Sequence, residues 1–258
     1  MTNDVTILIY TFPPKGRESD PFKKIVAAVE QTWKYCGKLK TVIVASHRFA
    51  EVESFVAGRS NVELQIEPSL VPGDIKTMSL DCIKNLYKRF ATPYVLIIQD
   101  DGYPVRKGLD EFVGKWDFIG APMYSDGWKR KLAFGLGFGS YNGGFSLRSH
   151  KLCEYASRKW FSVFRHIFSE GSRWLGEDFY YSGWLRLLPS TRLVFRYPSE
   201  RDAFRFSFDK MGGHVTPPID VKPFGVHGRT SIIYGTEPCF REESRKDSMS
   251  CLNLSGEK

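Results

Sequence analysis

The chain has 258 residues, 42% of them apolar and 15% aromatic, and its 37 Lys plus Arg against 29 Asp plus Glu leave a net charge of +8. That apolar mass excludes a disordered or collagen-like chain, and the length is enough to bury a sizeable core. The basic surplus favours anionic partners such as phosphates, nucleic acid or an anionic membrane face, although a solvated basic surface has the same composition.

Met1-Thr2-Asn3-Asp4 has no basic n-region, and the apolar run after it is too short for a signal peptide. That run, Val5-Thr6-Ile7-Leu8-Ile9-Tyr10, is continuous and β-prone, as expected of a strand buried on both faces. Pro13-Pro14-Lys15-Gly16 breaks it and Ser19-Asp20-Pro21 starts a helix, whose apolar stripe is Phe22, Ile25, Val26, Val29 and Trp33. Strands are expected at 41–45 and, alternating, at 62–66. A helix is marked by Ile83, Leu86, Tyr87 and Phe90, and a fourth strand at 94–98 ends in Gln99-Asp100-Asp101-Gly102. Strands alternating with helices imply βαβ units and a mostly parallel central sheet flanked by helices, a Rossmann-like first half of an α/β fold.

After residue 115 the texture changes. Residues 116–122 read as a short strand leaving the sheet. Residues 124–144, rich in Gly, aromatic and basic side chains, read as a loop that folds over a ligand. Leu152, Tyr155, Ala156, Trp160, Phe164 and Ile167 mark a further helix, another is expected over 177–188, and the tail from Arg241 is polar. No apolar window approaches the roughly 18 residues of a membrane helix. The cysteines at 36, 82, 153, 239 and 251 are far apart, without CxxC spacing. They are expected to be reduced thiols without a zinc site, in a cytoplasmic protein.

Four places carry candidate chemistry. In open α/β sheets ligands bind beyond the carboxyl ends of the strands, where Asp100 and Asp101 stand. Two adjacent carboxylates suit a divalent cation, although Asp-Asp-Gly is also an ordinary turn. Asn142-Gly143-Gly144 lets backbone approach a ligand while Asn bonds hydroxyls, or else is a hairpin turn. Glu177-Asp178 after Gly176 is either a helix start or a general base. His227, between Gly225 and Gly228, is either a structural histidine or a ligand.

In this order the four places resemble the GT-A glycosyltransferases, most of all a family of small bacterial and viral members, over residues from about 5 to 227. The resemblance implies a DxD-type motif at the end of the fourth strand holding Mn²⁺ or Mg²⁺ on a nucleotide-sugar pyrophosphate. It implies a Gly-Gly segment lining the sugar pocket, an acidic pair supplying the base, and a late His completing the metal shell. The matching positions are Asp101 and His227 as metal ligands, Asn142, Gly143 and Gly144 at the donor, and Asp178 as base with Glu177 beside it. Gln99 falls where the family usually has the first carboxylate, and Asp100 is placed to share its duty. Thr11 and Phe12 after the first strand, and Asp74 and Lys76 before the Ile83 helix, are expected at the nucleoside and phosphates. Lys129, Arg130 and Lys131 would close over the donor.

These expectations describe one domain over 1–240, with a nucleotide-sugar-binding half to about 115, an acceptor-binding half from 116 and a polar tail over 241–258. The implied reaction is an inverting, metal-assisted transfer to a glycan or lipid-linked glycan, with peripheral contact to the inner membrane face and no nucleic-acid partner. A helix start lowers a carboxylate's pKa, which would keep Asp178 ionised. The alternatives are a nucleotidyltransferase, for which residues 11–17 are a poor glycine-rich loop, and a degenerate module that only binds polysaccharide or nucleotide.

Overall fold

A computed structural model describes residues 4–12, 21–122, 141–164, 176–209 and 221–228. The basic cluster at 129–131, the tail over 241–258, Cys239 and Cys251 lie outside the described residues. The strands are β1 (Val5–Thr11), β2 (Thr41–Ala45), β3 (Val62–Ile66), β4 (Tyr94–Ile97), β5 (Tyr103–Pro104), β6 (Phe118–Pro122), β7 (Tyr141–Ser149), β8 (Ser207–Asp209) and β9 (Gly225–His227). The helices used below are α1 (Pro21–Cys36), α2 (Ala50–Val56), α3 (Ile75–Lys84) and α4 (His150–Phe164).

Six strands form the central sheet in the order β3-β2-β1-β4-β7-β6. The first four run parallel, β7 runs antiparallel to β4, and β6 runs antiparallel to β7. The mostly parallel α/β sheet expected from the sequence is therefore present. Alternate residues of its buried strands serve opposite faces. Val5, Ile7, Ile9, Ile43 and Leu96 pack with Phe22, Ile25, Val29, Val52 and Phe55 of α1 and α2. Leu8, Val42, Val44, Val95 and Ile97 pack on the other face with Ile83 of α3, Leu152 and Ala156 of α4, and Tyr180 and Tyr181. Each such aliphatic side chain, fully buried, contributes about 1.5–3 kcal/mol.

Three elements differ from the sequence reading. Residues 118–122 do not leave the sheet. They form its edge strand β6, paired with β7. The stretch around Gly143-Gly144 is not a turn but the interior of a nine-residue strand, lying where the pairing with β6 shifts register, between the paired residues Tyr141 and Ser146. Helix α3 ends at Lys84, so Tyr87 lies in a 3₁₀ turn, Leu86–Lys88. Arg89 folds back there, its Nε donating to Asp81 Oδ2 at 2.7 Å.

A second sheet, in the order β5-β9-β8, sits beyond the end of β4. The free cysteines Cys82 and Cys153 are buried and Cys36 is partly so; burial pushes the Cys36 and Cys153 thiols up to about 12. Among the described residues no helix is long and apolar enough to cross a membrane.

Candidate active site

The topology brings the singled-out residues to one edge. The carboxyl ends of β1 and β4 lie there, and β7, running the other way, brings its first residues to the same edge because Ile97 pairs with Ser146. Asn142, Gly143 and Gly144 thus extend just past the end of β4. The chain leaves β4 through a tight turn in which Gln99 and Gly102 exchange hydrogen bonds of 3.0 and 3.2 Å. Asp100 and Asp101 form the tip of that turn, so turn chemistry and a ligand-facing position coincide. Residues 103–104 then enter β5, which pairs with β9 and carries His227 back over the turn.

His227 is buried and holds three groups. Nδ1 lies 3.3 Å from Asp209 Oδ2, and Nε2 lies 3.0 Å from Gln99 Oε1 and 3.6 Å from Asp101 Oδ1. Burial opposes charge on the ring, but the Asp209 hydrogen bond and the Asp101 and Asp209 carboxylates outweigh it and raise its pKa. Asp209, a buried residue that the sequence reading passed over, also accepts a 2.8 Å hydrogen bond from Asn142 Nδ2. Asn142 Oδ1 in turn accepts the Gly144 N–H at 2.7 Å. One end of the Asn142 amide thus shapes the strand and the other ties it to Asp209 on β8.

Gly143 and Gly144 face opposite clusters. A side chain on Gly144 would collide with the His227 ring and the Gln99 amide; one on Gly143 would collide with Glu177 and Arg148 and come within 3.1 Å of Asp178. Glu177 is buried on the second side. Its Oε1 accepts from Arg148 Nη2 at 3.1 Å, and Oε2 lies 3.5 Å from Ser79 Oγ on α3. Asp178, half-buried, is hydrogen-bonded to Glu177. Burial alone would raise the Glu177 pKa, but Arg148 and the Asp178 hydrogen bond bring it below the usual carboxylate value. Burial and the Glu177 charge push Asp178 well above its own. The helix start, expected from the sequence to keep Asp178 ionised, is outweighed by burial and by the Glu177 charge in direct contact.

The remaining expected residues divide. Thr11 ends β1 fully buried, and its Oγ1 makes no hydrogen bond among the described residues. Phe12 packs on the cluster of Leu8 and Val44. Asp74 caps α3 by accepting from the Lys76 N–H at 2.9 Å, and Lys76 is exposed there. The cap accounts for Asp74, while only the backbone N–H of Lys76 takes part in it. Asp100 is exposed, and its pKa is raised by crowding of protein atoms and by Asp101.

The residues around His227 fit a hard divalent cation in ligand type. With Nδ1–H donating to Asp209, a neutral His227 would turn its Nε2 lone pair toward a cation held between it and the Gln99 and Asp101 oxygens, a mixed N/O set of the kind Mn²⁺ takes. The set is lean: among the described residues no three His, Cys, Asp or Glu side chains gather as a metal-holding group.

Among solved structures the chain is similar to the mannosyltransferase Ktr4p from S. cerevisiae in complex with GDP, with 11% identity, 78% of this chain and 68% of that chain covered, and a TM-score of 0.49. It is also similar to TarS 1–349 from S. aureus, with 11% identity, a TM-score of 0.40, and 59% of this chain and 48% of that chain covered. No curated protein matches the sequence. Residues 66–227, well over half of the chain, match the family described as protein of unknown function (DUF5672), and the chain belongs to that family.

Proposed function

We propose that this chain moves a sugar from a nucleoside-diphosphate donor to a hydroxyl of a glycan acceptor. The observation that carries this reading is the glycine step, where Gly143 packs on Glu177 and Asp178 while Gly144 packs on Gln99 and His227. A cation-type donor set and a proton-accepting pair thus stand one residue apart on a sheet edge. Sugar transfer needs both, because the leaving diphosphate gathers negative charge while the acceptor hydroxyl must lose a proton. Asp101 and His227 would hold Mn²⁺ or Mg²⁺, with Gln99 adding a neutral oxygen. Such an ion, when bound, neutralises charge on the leaving diphosphate.

On this reading Asp178 takes the hydroxyl proton as the hydroxyl oxygen bonds to the anomeric carbon and the bond to the diphosphate oxygen breaks. A single displacement of that kind inverts the anomeric configuration. Thr11 Oγ1, buried and unpartnered, is a donor and acceptor for the nucleoside or its phosphates. The charge of +8 suits an anionic donor and a lipid-linked acceptor at an anionic membrane face.

The test is a thermal-shift screen of the full chain with UDP-, GDP- and dTDP-linked sugars, with and without Mn²⁺, followed by donor hydrolysis. A ligand at 100 times its Kd stabilises the folded state by about 2.7 kcal/mol. One sugar nucleotide should raise the Tm more strongly with Mn²⁺ and be hydrolysed slowly. Stabilisation without hydrolysis or transfer would favour a module that only binds, and no stabilisation by any donor would end the reading.

A further inference from the structure

We infer that Arg148 is the positioning residue of the acidic pair, its guanidinium locking Glu177 against the Gly143 backbone so that Asp178 is left as the member that exchanges the proton. The inference deepens the reading above and rests on it for the identity of that proton's source. Arg148 lies on β7 and is completely buried. Nη2 lies 3.1 Å from Glu177 Oε1 and 3.3 Å from the Gly143 carbonyl oxygen, and Nε donates to Ser146 Oγ at 3.1 Å. Ser146 Oγ itself donates to the same Gly143 carbonyl at 2.8 Å. The guanidinium carbon lies 4.5 Å from the centre of the Tyr181 ring and 5.2 Å from that of Phe118.

A buried ion pair is a poor way to stabilise a core, since desolvation offsets most of the attraction and apolar residues of equal volume often serve better. This one does something an apolar residue could not. One planar group ties the carbonyl of the glycine step to the carboxylate beside it, fixing the strand and the acid pair in one geometry. The ion pair also assigns the proton. Of two carboxyl groups in contact, the one facing a buried cation stays ionised, and the half-buried neighbour carries the shared proton. Among the described residues Cys82 on α3 is the other ionisable group acting on Glu177, Cys153 and Tyr181 lie against Arg148, and burial raises the pKa of all three, whereas Arg148 lowers that of both carboxyl groups.

The experiment is an infrared titration of the protonated-carboxyl band in the full chain, with no sugar or metal present. The wild-type protein should show one carboxylic acid that stays protonated to a pH well above the usual Asp range, absent from Asp178→Asn. Arg148→Met should move its midpoint up by a pH unit or more, and Glu177→Gln should move it down. If Arg148→Met does not fold, Arg148→Lys, which keeps the charge but not the planar fork, should give a smaller upward move. A midpoint unmoved in the folded Arg148 variant, or a wild-type band that survives in Asp178→Asn, overturns the inference. Because the titration needs no substrate, a chain that turns over no sugar nucleotide but shows these shifts would sink the transferase reading and leave the role of Arg148 standing.

Discussion

His227 Nε2 faces Gln99 Oε1 across 3.0 Å while Asp209, one strand away, holds the opposite ring nitrogen. Asp209 thereby fixes the direction in which the ring presents Nε2. Partners of this type are worth roughly 10–100-fold in metal affinity. Asp209→Asn should weaken Mn²⁺ binding by that factor in isothermal titration calorimetry, and Asp101→Ala should abolish it while the circular dichroism stays native. Undiminished binding in both variants would remove the cation from this cluster.

The two glycines should fail differently. A methyl group on Gly144 meets His227 and Gln99, whereas one on Gly143 meets Glu177, Arg148 and Asp178. Gly144→Ala is expected to reduce metal-dependent donor binding. Gly143→Ala is expected to leave that binding within about twofold and to lower turnover at least tenfold, the equivalent of about 1.4 kcal/mol of barrier. The measurement is donor affinity and kcat for each variant, and identical profiles would contradict the opposed clusters.

A further buried pair supports the sheet rather than the chemistry. Arg89 Nε and Nη2 bind the Asp81 carboxylate, which also accepts from Tyr10 at 2.8 Å and from Asn85 at 3.0 Å. Arg89 Nη2 reaches Glu67 at 3.0 Å as well. Breaking one partner leaves a buried charge alone, so Arg89→Met should cost about 3–5 kcal/mol in urea denaturation. The hydrogen bonds from Ser69, and then Arg89, hold the Glu67 pKa below its ordinary value. A lowered folded-state pKa means that this stability is present above about pH 4.3, the unfolded value, and is lost as pH falls through the folded one. Arg89→Met should remove only part of that acid limb, because the Ser69 hydrogen bonds to Glu67 remain.

Much of the scaffold was legible because parallel strands buried on both faces announce themselves as apolar runs. Residues 41–45 are such a strand with those limits, and the edge strand 62–66, half exposed, was legible instead by its alternation. The strand β7 was not legible, since Asn-Gly-Gly signals a turn locally, whereas the strand is held by pairing of Ser146 to Ser149 with β4 and of Tyr141 and Ser146 to Arg148 with β6, on either side of it. Asp101, Glu177, Asp178 and His227 stood out as polar residues next to glycines or strand ends. Asp209 and Arg148 did not. Their significance lies in contacts across 18 and 29 residues, to His227 and Glu177, that no spacing rule encodes. Phe206-Ser207-Phe208-Asp209 does alternate apolar with polar residues, a faint strand signal that would have placed Asp209 at an end.

Asp178 gives the sharpest division between a helix start and a chemical group. Its carboxyl is pushed well above the ordinary value by burial and by Glu177, and a group so raised accepts a proton more readily once it is ionised. Substituting Asn keeps the size and much of the hydrogen bonding but removes the ability to take a proton. A residue that only starts a helix would then change stability by about 1 kcal/mol or less and leave turnover intact. A general base instead costs roughly 10² to 10⁴ in turnover at nearly constant donor affinity. The raised pKa adds a second requirement. Below it Asp178 is protonated and cannot act, so wild-type turnover should fall on the acid side of a midpoint well above the usual Asp value. Glu177→Gln removes the neighbouring charge and should carry that midpoint toward lower pH, provided the variant retains turnover. A pH–turnover profile for the wild type and Glu177→Gln, with Asp178→Asn measured beside them, checks all three. Near-normal turnover in Asp178→Asn would transfer the role to Glu177.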